Sequence, residues 1–285
     1  MANIVGGYIM PHDPLLFVNP QKKERDHLLA VYSRICDKVR ASGATKAIIF
    51  GADHYILFGP RCLPQFLIAT GELHGPIDRL PGVANAPIAS DPDFANYLVK
   101  HAHGSGFDVS VARDLGVDHA IGVPAQLALP TDGSVQTVPV YMASGVEPYV
   151  RLQRAYEFGQ MVRDAVGGMP GDERVVLIGS GGISHWVGTG EMGRINPEFD
   201  KKVLDAIVSG DPSTLLSMTD EEIMRDGGNG GMEIRHYLAV MGALPAGRGE
   251  VLTYEAWSGG VTGLALPKSY RPDGGRKTNF NRRIG

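Results

Sequence analysis

Four histidines and one glutamate stand where an α/β protein would place reactive side chains. His12, His54 and His185 each come just after an apolar run of strand length, and His119 follows another such run by a few residues. Glu233 comes after the glycine-rich stretch Asp-Gly-Gly-Asn-Gly-Gly, at the start of a predicted helix. Ligands of open α/β sheets gather at the carboxyl ends of the strands. We therefore expect these five side chains to share one rim of the sheet.

The chemistry open to this set is that of a divalent metal with acid and base groups beside it. Two neutral imidazoles and one carboxylate on one face of a metal leave positions open for ligands, an arrangement typical of non-haem Fe(II) oxygenases. Two further histidines without a ligand role could act as acid and base. Asp13, Asp53 and Asp118 each neighbour one of the histidines and could orient an imidazole through its second nitrogen.

Each of these residues also has an ordinary structural interpretation. A histidine after a strand often only forms hydrogen bonds within a turn, and a glutamate in a first helical turn is favoured by the helix dipole. His236 forms a Glu-x-x-His pair with Glu233, but a di-metal bundle site needs two such pairs, so we place His236 on a helix surface. The remaining histidines are predicted to be solvated: His27, His74, His101 and His103.

The turn Gly179–Gly182 is a second glycine-rich feature. It lacks both the lysine of a P-loop and the dinucleotide-binding fingerprint, and Ser180 lacks the flanking glycines of a nucleophile elbow. Nucleotide binding is therefore not expected. We expect these glycines to let the backbone pass close to a substrate while His185 points inward.

Strand-like and helix-like segments alternate along the chain. The predicted strands are Asn3–Ile9, Lys46–Gly51, Pro64–Ala69, Phe107–Ala112, Val135–Met142, Arg174–Ile178 and Val261–Leu266. The predicted helices are Pro20–Ser42, Asp91–Ala102, Tyr149–Val166, Glu198–Val208 and Met232–Leu244. This alternation predicts an α/β fold, a three-layer α/β/α sandwich with a mainly parallel or mixed central sheet in a single domain.

Composition excludes several classes of protein. The 285-residue chain has a formal net charge of -4, so it has no basic field for nucleic acid or an anionic membrane. No apolar run approaches the ~18 residues of a membrane helix, and the N-terminus has no signal-peptide pattern, so we expect a cytoplasmic protein. Cys36 and Cys62 cannot form a disulfide framework and are expected to be reduced, in or near the core.

The last stretch of the chain differs from the rest. We expect one domain over residues 1–267, because no linker divides it. Residues 268–285 are basic and nearly free of apolar residues, with Asp273 the single acid. Their basic residues are Lys268, Arg271, Arg276, Lys277, Arg282 and Arg283. This composition predicts a poorly packed tail, or an arm that orders on a neighbouring subunit of a homo-oligomer.

Five motifs in a fixed order point to a known family. They are His12 in the first post-strand loop, Asp53-His54-Tyr55, Val117-Asp118-His119, Gly181-Gly182-Ile183-Ser184-His185, and the glycine-rich stretch from Asp226 to Glu233. In this order they resemble the class III (LigB-type) extradiol catechol dioxygenases, from about Ala2 to Pro267. The segment from Gly193 to Asp200 is similar to the catalytic (beta) subunit of protocatechuate 4,5-dioxygenase. The fold of that family is the α/β/α sandwich predicted above.

The resemblance implies roles for individual residues. His12, His54 and Glu233 would bind Fe(II), and His119 and His185 would line the substrate pocket as acid/base groups. Ser258, in Ala-Trp-Ser-Gly-Gly, would contact the substrate.

The resemblance also implies the reaction and its partners. An aromatic diol and O2 would react to give a ring-opened semialdehyde, the diol being a substituted catechol with or without a carboxylate, such as protocatechuate, gallate or methylgallate. The small subunit that covers the site in protocatechuate enzymes is not encoded here. The Trp186–Met192 loop or the basic C-terminal arm could replace it, and a separate small partner subunit is not excluded.

Alternatives remain open at this point. A zinc-dependent member of the superfamily, or a metallohydrolase that uses a metal-bound hydroxide, could employ the same residues. A binding module that keeps the fold is a third alternative, although it would have no use for two extra pocket histidines. Arg61, Arg194 and Arg235 could each pair with a substrate carboxylate or be solvated.

Overall fold

The secondary structure alternates along the chain as the sequence predicts. The computed structural model describes residues 1–18, 22–59, 61–245, 247–257 and 262–267. The strands are β1 Asn3–Met10, β2 Lys46–Gly51, β3 Phe66–Gly75, β4 Ala86–Ile88, β5 Ser110–Gly116, β6 Gln136–Met142, β7 Arg174–Ser180, β8 Val251–Trp257 and β9 Thr262–Pro267. The α-helices are α1 Leu15–Val18, α2 Lys22–Ser42, α3 Pro92–Gly104, α4 His119–Leu127, α5 Leu152–Gly168, α6 Pro197–Ser209, α7 Ser213–Leu216, α8 Asp220–Gly227 and α9 Ile234–Ala243, with a 3₁₀ turn over Gly230–Glu233.

The central sheet is mixed and has seven strands. Its order is β1-β7-β2-β6-β3-β4, with β5 paired to β3. The neighbours β1, β7, β2 and β6 run parallel, whereas β3 is antiparallel to both β6 and β4. The carboxyl ends of β1, β7 and β2 therefore lie side by side at one edge of the sheet.

Helices cover both faces of this sheet, because its strands are apolar on both sides. In β2, Ile48 and Phe50 join the core cluster formed with α3, α5, α6 and α9. Their neighbours Ala47 and Ile49 point the other way and join the cluster formed with α2 and α4. Because side chains alternate along a strand, each strand contributes residues to the cores on both faces of the sheet. The predicted three-layer α/β/α sandwich is confirmed.

Several predicted details need correction. Strands β4 and β8 and helices α1, α4, α7 and α8 were not predicted; α4 contains Gly122 and Pro124, which weaken its helical pattern. His74 lies on β3 instead of in a loop, although it is exposed as expected. Cys62 is exposed and Cys36 only half-buried, so neither is a core residue. Both cysteines are free thiols.

Two further expectations concern the chain as a whole. Residues 268–285, predicted to be a tail or arm, lie outside the described residues. Among the helices that the structure describes, none combines the length and apolar character needed to cross a bilayer.

Candidate metal and acid–base site

The carboxyl edge of the parallel strands brings the predicted site residues together. His12 follows β1, His54 follows β2 and His185 follows β7, and these three strands are neighbours in the sheet. His119 is the first residue of α4, which Asp118 caps by accepting a hydrogen bond from a backbone N–H. Glu233 ends the 3₁₀ turn that leads into α9.

Glu233 lies at the centre of the cluster. Its Oε1 is 3.2 Å from His12 Nε2 and 3.5 Å from His54 Nε2. Its Oε2 accepts a hydrogen bond of 2.9 Å from the Gly182 N–H and lies 3.8 Å from His185 Nε2. The ring nitrogens of His12, His54 and His119 come within 4.8 Å of one another. The cluster therefore holds enough nitrogen and oxygen donors to surround one metal ion.

Three of the imidazoles are held through Nδ1, which leaves Nε2 directed into the cluster. His12 Nδ1 lies 2.8 Å from Ser180 Oγ. His54 Nδ1 donates to Asp118 Oδ2 at 2.8 Å, and its backbone N–H donates to the same oxygen at 2.9 Å. His119 Nδ1 donates to Asp78. Such outer hydrogen bonds fix the tautomer and the direction of a metal-binding or proton-transferring imidazole.

The ring planes separate His119 from the other two imidazoles. His12 and His54 meet edge to face, with 73° between planes and 5.0 Å between ring centroids, so their in-plane lone pairs can converge on one point. His54 and His119 are stacked, with 19° between planes and 4.1 Å between centroids. One ion cannot lie in both of two nearly parallel ring planes, so His119 fits beside the metal position better than as a ligand.

Burial and charge set the protonation of the cluster. Burial opposes protonation of His54, but Asp118 and Glu233 outweigh it and raise the pKa of His54 to about 10 in the metal-free chain. Burial also opposes ionisation of Glu233, yet the neighbouring imidazoles hold the pKa of Glu233 well below its usual range. Burial lowers the pKa of His119 and of His185, so both are neutral at neutral pH.

The glycine-rich stretch from Asp226 to Gly231 wraps around His185. The His185 N–H donates to the Gly227 carbonyl, and the Gly230 N–H donates back to the His185 carbonyl. A Cβ on Gly230 would lie only 2.0 Å from His185 Nε2. The Asn229 side chain both accepts from and donates to the Val187 backbone at 2.8 Å. The glycines are therefore needed for close packing around the imidazole.

Two expectations about buried residues are wrong. His236 is fully buried instead of lying on a helix surface: its Nδ1 is 2.6 Å from the Ser180 carbonyl oxygen, and burial lowers the pKa of His236 to about 4. Arg235 is also fully buried, and its guanidinium binds the Val150 carbonyl and Asp220, so it is neither solvated nor available to a substrate. The sequence did not reveal these contacts, because they join α9 to residues distant along the chain: Ser180 at the end of β7, Asp220 at the start of α8, and Val150.

The remaining candidates have mixed outcomes. Asp118 does orient an imidazole, whereas Asp13 and Asp53 accept hydrogen bonds from backbone N–H groups of their own loops. Arg194 stacks on Trp186 and pairs with Glu191. Arg61 is exposed, and Ser258 lies outside the described residues. The sequence did not predict that Asp78 and Ser180 contact imidazoles, because no local sequence signal marks either residue.

Comparison with known proteins places the chain among aromatic ring-opening dioxygenases. The family model described as the catalytic LigB subunit of aromatic ring-opening dioxygenase matches residues 6–265. A 2,3-dihydroxyphenylpropionate/2,3-dihydroxicinnamic acid 1,2-dioxygenase of Photorhabdus laumondii is 26% identical over 278 residues, which cover 82% of this chain and 86% of that protein. A gallate dioxygenase of Pseudomonas putida is 33% identical over 162 residues, 56% of this chain and 47% of that protein.

A solved structure shares the fold. The crystal structure of an uncharacterized protein from Escherichia coli K12 superposes with a TM-score of 0.59 at 12% identity, and the match covers 92% of this chain and 99% of that one. At this identity the likeness concerns the fold alone.

The chain belongs to the LigB family. It is an extradiol aromatic ring-opening dioxygenase, the activity for which its relatives are named. Enzymes of this family depend on a metal, and the cluster of His12, His54 and His119 marks where one could bind, with the stacked His119 beside the ion.

Proposed function

We propose that the protein is an Fe(II)-dependent extradiol dioxygenase in which His12, His54 and Glu233 hold the iron. The observation that carries this proposal is the approach of both Nε2 atoms, at 3.2 and 3.5 Å, to one oxygen of Glu233. Glu233 Oε2 is already engaged by the Gly182 N–H, so Oε1 is the oxygen available to a metal. This donor set fits the facial arrangement of two histidines and one carboxylate.

The donor set also fits iron chemically. A ferrous ion held by these residues supplies Lewis acidity toward two catechol oxygens and a redox couple for dioxygen. The His54 side chain is 31% exposed, whereas those of His12 and Glu233 are 5% and 6% exposed. The ligand set is therefore open on the His54 side, where a planar diol can approach.

His185 and His119 are the proton-transfer groups in this proposal. The carbonyl of Ile183 lies 3.4 Å from His185 Nδ1, which assigns the hydrogen to Nδ1 and leaves Nε2 as the acceptor. His119 is oriented in the same way by Asp78. We assign the first phenolic proton to His185 Nε2 and place His119 as the second acid/base group, stacked on His54.

The substrate is proposed to be a substituted catechol, with or without a carboxylate. The relatives named for gallate and for dihydroxyphenylpropionate support this class. Protocatechuate, gallate and methylgallate are the first compounds to test, with dihydroxyphenylpropionate beside them.

The test combines metal content with oxygen consumption. Protein loaded anaerobically with Fe(II) is given each catechol and then opened to oxygen, while O2 uptake and a yellow ring-fission product are followed. Fe(II)-dependent O2 uptake with product formation supports the proposal. Turnover with zinc, or without O2 uptake, overturns it in favour of a hydrolase.

Four variants then separate the assigned roles. His12→Ala and Glu233→Ala should lose iron, whereas His119→Ala and His185→Ala should retain iron and lose most turnover. Full iron content and activity in Glu233→Ala would remove the ligand assignment.

A further inference from the structure

Ser180 joins three elements of the site. It is the last residue of β7 and is fully buried. Strand pairing places it opposite Met10 of β1, two residues before His12. Its Oγ lies 2.8 Å from His12 Nδ1 and 2.5 Å from the carbonyl oxygen of Ala120 in α4. One hydroxyl group therefore touches both the loop that carries His12 and the helix that begins at His119.

The hydrogens of this arrangement can be assigned by counting donors. A serine hydroxyl has one hydrogen, and a backbone carbonyl can only accept. Ser180 Oγ must therefore donate its hydrogen to the Ala120 carbonyl. Its contact with His12 is then satisfied only if His12 Nδ1 carries a hydrogen and donates it. With its hydrogen-bonding role fixed at Nδ1, His12 keeps Nε2, which faces Glu233 Oε1, as the nitrogen that can bind a metal.

His236 holds Ser180 from the opposite side. Its Nδ1 donates to the Ser180 carbonyl at 2.6 Å, and its Nε2 lies 3.2 Å from Ser144 Oγ. Both ring nitrogens of this fully buried imidazole are thus engaged. The hydroxyl oxygen of Tyr237, the next residue of α9, lies 2.6 and 2.7 Å from the carbonyl oxygens of Gly181 and Gly182, which share its one hydrogen. The first turns of α9 therefore fix the backbone from which Ser180 reaches His12.

We propose that Ser180 is a positioning residue of the metal site, which fixes the tautomer and direction of His12. The inference rests on the proposed function in one respect, that His12 is a metal ligand. His54, the second proposed ligand, is held by the carboxylate of Asp118. Ser180 performs the same task with a neutral group, so it adds no further buried anion beside Glu233 and Asp118.

The first test measures the affinity of the full chain for Co(II), added alone under anaerobic conditions. Replacing the outer partner of a ligating histidine weakens metal affinity about 10- to 100-fold, so Ser180→Ala should show a loss of this size. Ser180→Thr keeps the hydroxyl and should restore most of the affinity. The matched control is Ser184→Ala: Ser184 is also fully buried, but its Oγ accepts a hydrogen bond of 2.8 Å from the Asn196 N–H instead of from an imidazole.

The outcomes of this test are distinct. If Ser180→Ala binds Co(II) as tightly as the wild type while His12→Ala does not, the positioning role is wrong and the ligand set stands. If His12→Ala also binds Co(II) as tightly as the wild type, the proposed ligand set itself fails. If Ser184→Ala loses as much Co(II) affinity as Ser180→Ala, the loss reflects a general disturbance of this part of the fold and not the contact with His12. That result would also overturn the inference.

A second measurement can be decided on the wild-type protein alone, so it does not depend on whether a variant folds. The imidazole nitrogen shifts of the metal-free, ¹⁵N-histidine-labelled wild type report which nitrogen of His12 is protonated. We expect hydrogen on Nδ1 in the wild type and in Ser184→Ala, and a lost or only partly occupied Nδ1 hydrogen in Ser180→Ala. A wild-type His12 whose Nδ1 carries no hydrogen would overturn the inference directly.

Discussion

A methyl group added at Gly230 should separate metal binding from turnover. A Cβ at this position would lie 2.0 Å from His185 Nε2 and 2.2 Å from its two neighbouring ring carbons, whereas ordinary contacts begin at 3.4 Å. The imidazole must therefore move by roughly 1.4 Å. A misplacement of about 1 Å can cost about 100-fold in rate, or about 2.7 kcal/mol of transition-state stabilisation. Gly230→Ala should thus lower kcat/KM for the best catechol about 100-fold.

The assay must show that the loss arises at His185 and not at the metal. Gly230 lies in the same 3₁₀ turn as Glu233, so iron content is measured beside kcat/KM. Unchanged iron with reduced turnover is expected. Gly167→Ala is the matched control, because a Cβ there meets no atom within 4 Å. Full activity in Gly230→Ala, or a loss of activity that follows a proportional loss of iron, would refute the reasoning.

Three further variants test other contacts. Asp78→Asn removes the charge that orients His119, and should lower kcat about 10- to 100-fold with iron retained; an unchanged kcat would contradict this role. The pKa of His236 is about 4 in the folded chain, below its usual 6.5, so the unfolded chain binds more protons and stability falls as pH drops from about 6.5 toward 4. Between pH 7.5 and 5 the metal-free wild type should lose about 2 kcal/mol more than His236→Gln in urea unfolding, and equal losses would exclude this contribution. Lys46→Met leaves Asp91 buried without its ion-pair partner and should cost about 3–5 kcal/mol, so an unchanged urea midpoint would show that the pair adds nothing.

The sequence predicted the convergence of three histidines for a simple physical reason. His12, His54 and His185 directly follow apolar, β-branched runs, and parallel strands bring their carboxyl ends to one edge. The same reasoning supports the layered fold, since strands that are apolar on both faces need helices on both faces. Local pattern and general topology suffice for this part of the site.

The partners of these histidines could not be predicted in this way. Asp78 lies 41 residues from His119, and Ser180 lies 168 residues from His12, so neither pairing leaves a local pattern. The polar residues of α9 were misjudged for a related reason. Arg235 and His236 look like surface residues of an amphipathic helix, but each binds the backbone carbonyl of a residue far away in the sequence, Val150 for Arg235 and Ser180 for His236.

The two oxygens of Glu233 separate His185 from His12 and His54. Oε1 faces His12 and His54, whose Nε2 lone pairs can converge, whereas Oε2 is bound by the Gly182 N–H and lies nearest His185. A carboxylate with both oxygens free would not favour one side of the cluster. The Gly182 N–H therefore selects which oxygen remains for a metal. In this way a single backbone hydrogen bond keeps His185, the proposed proton acceptor, apart from the proposed ligands.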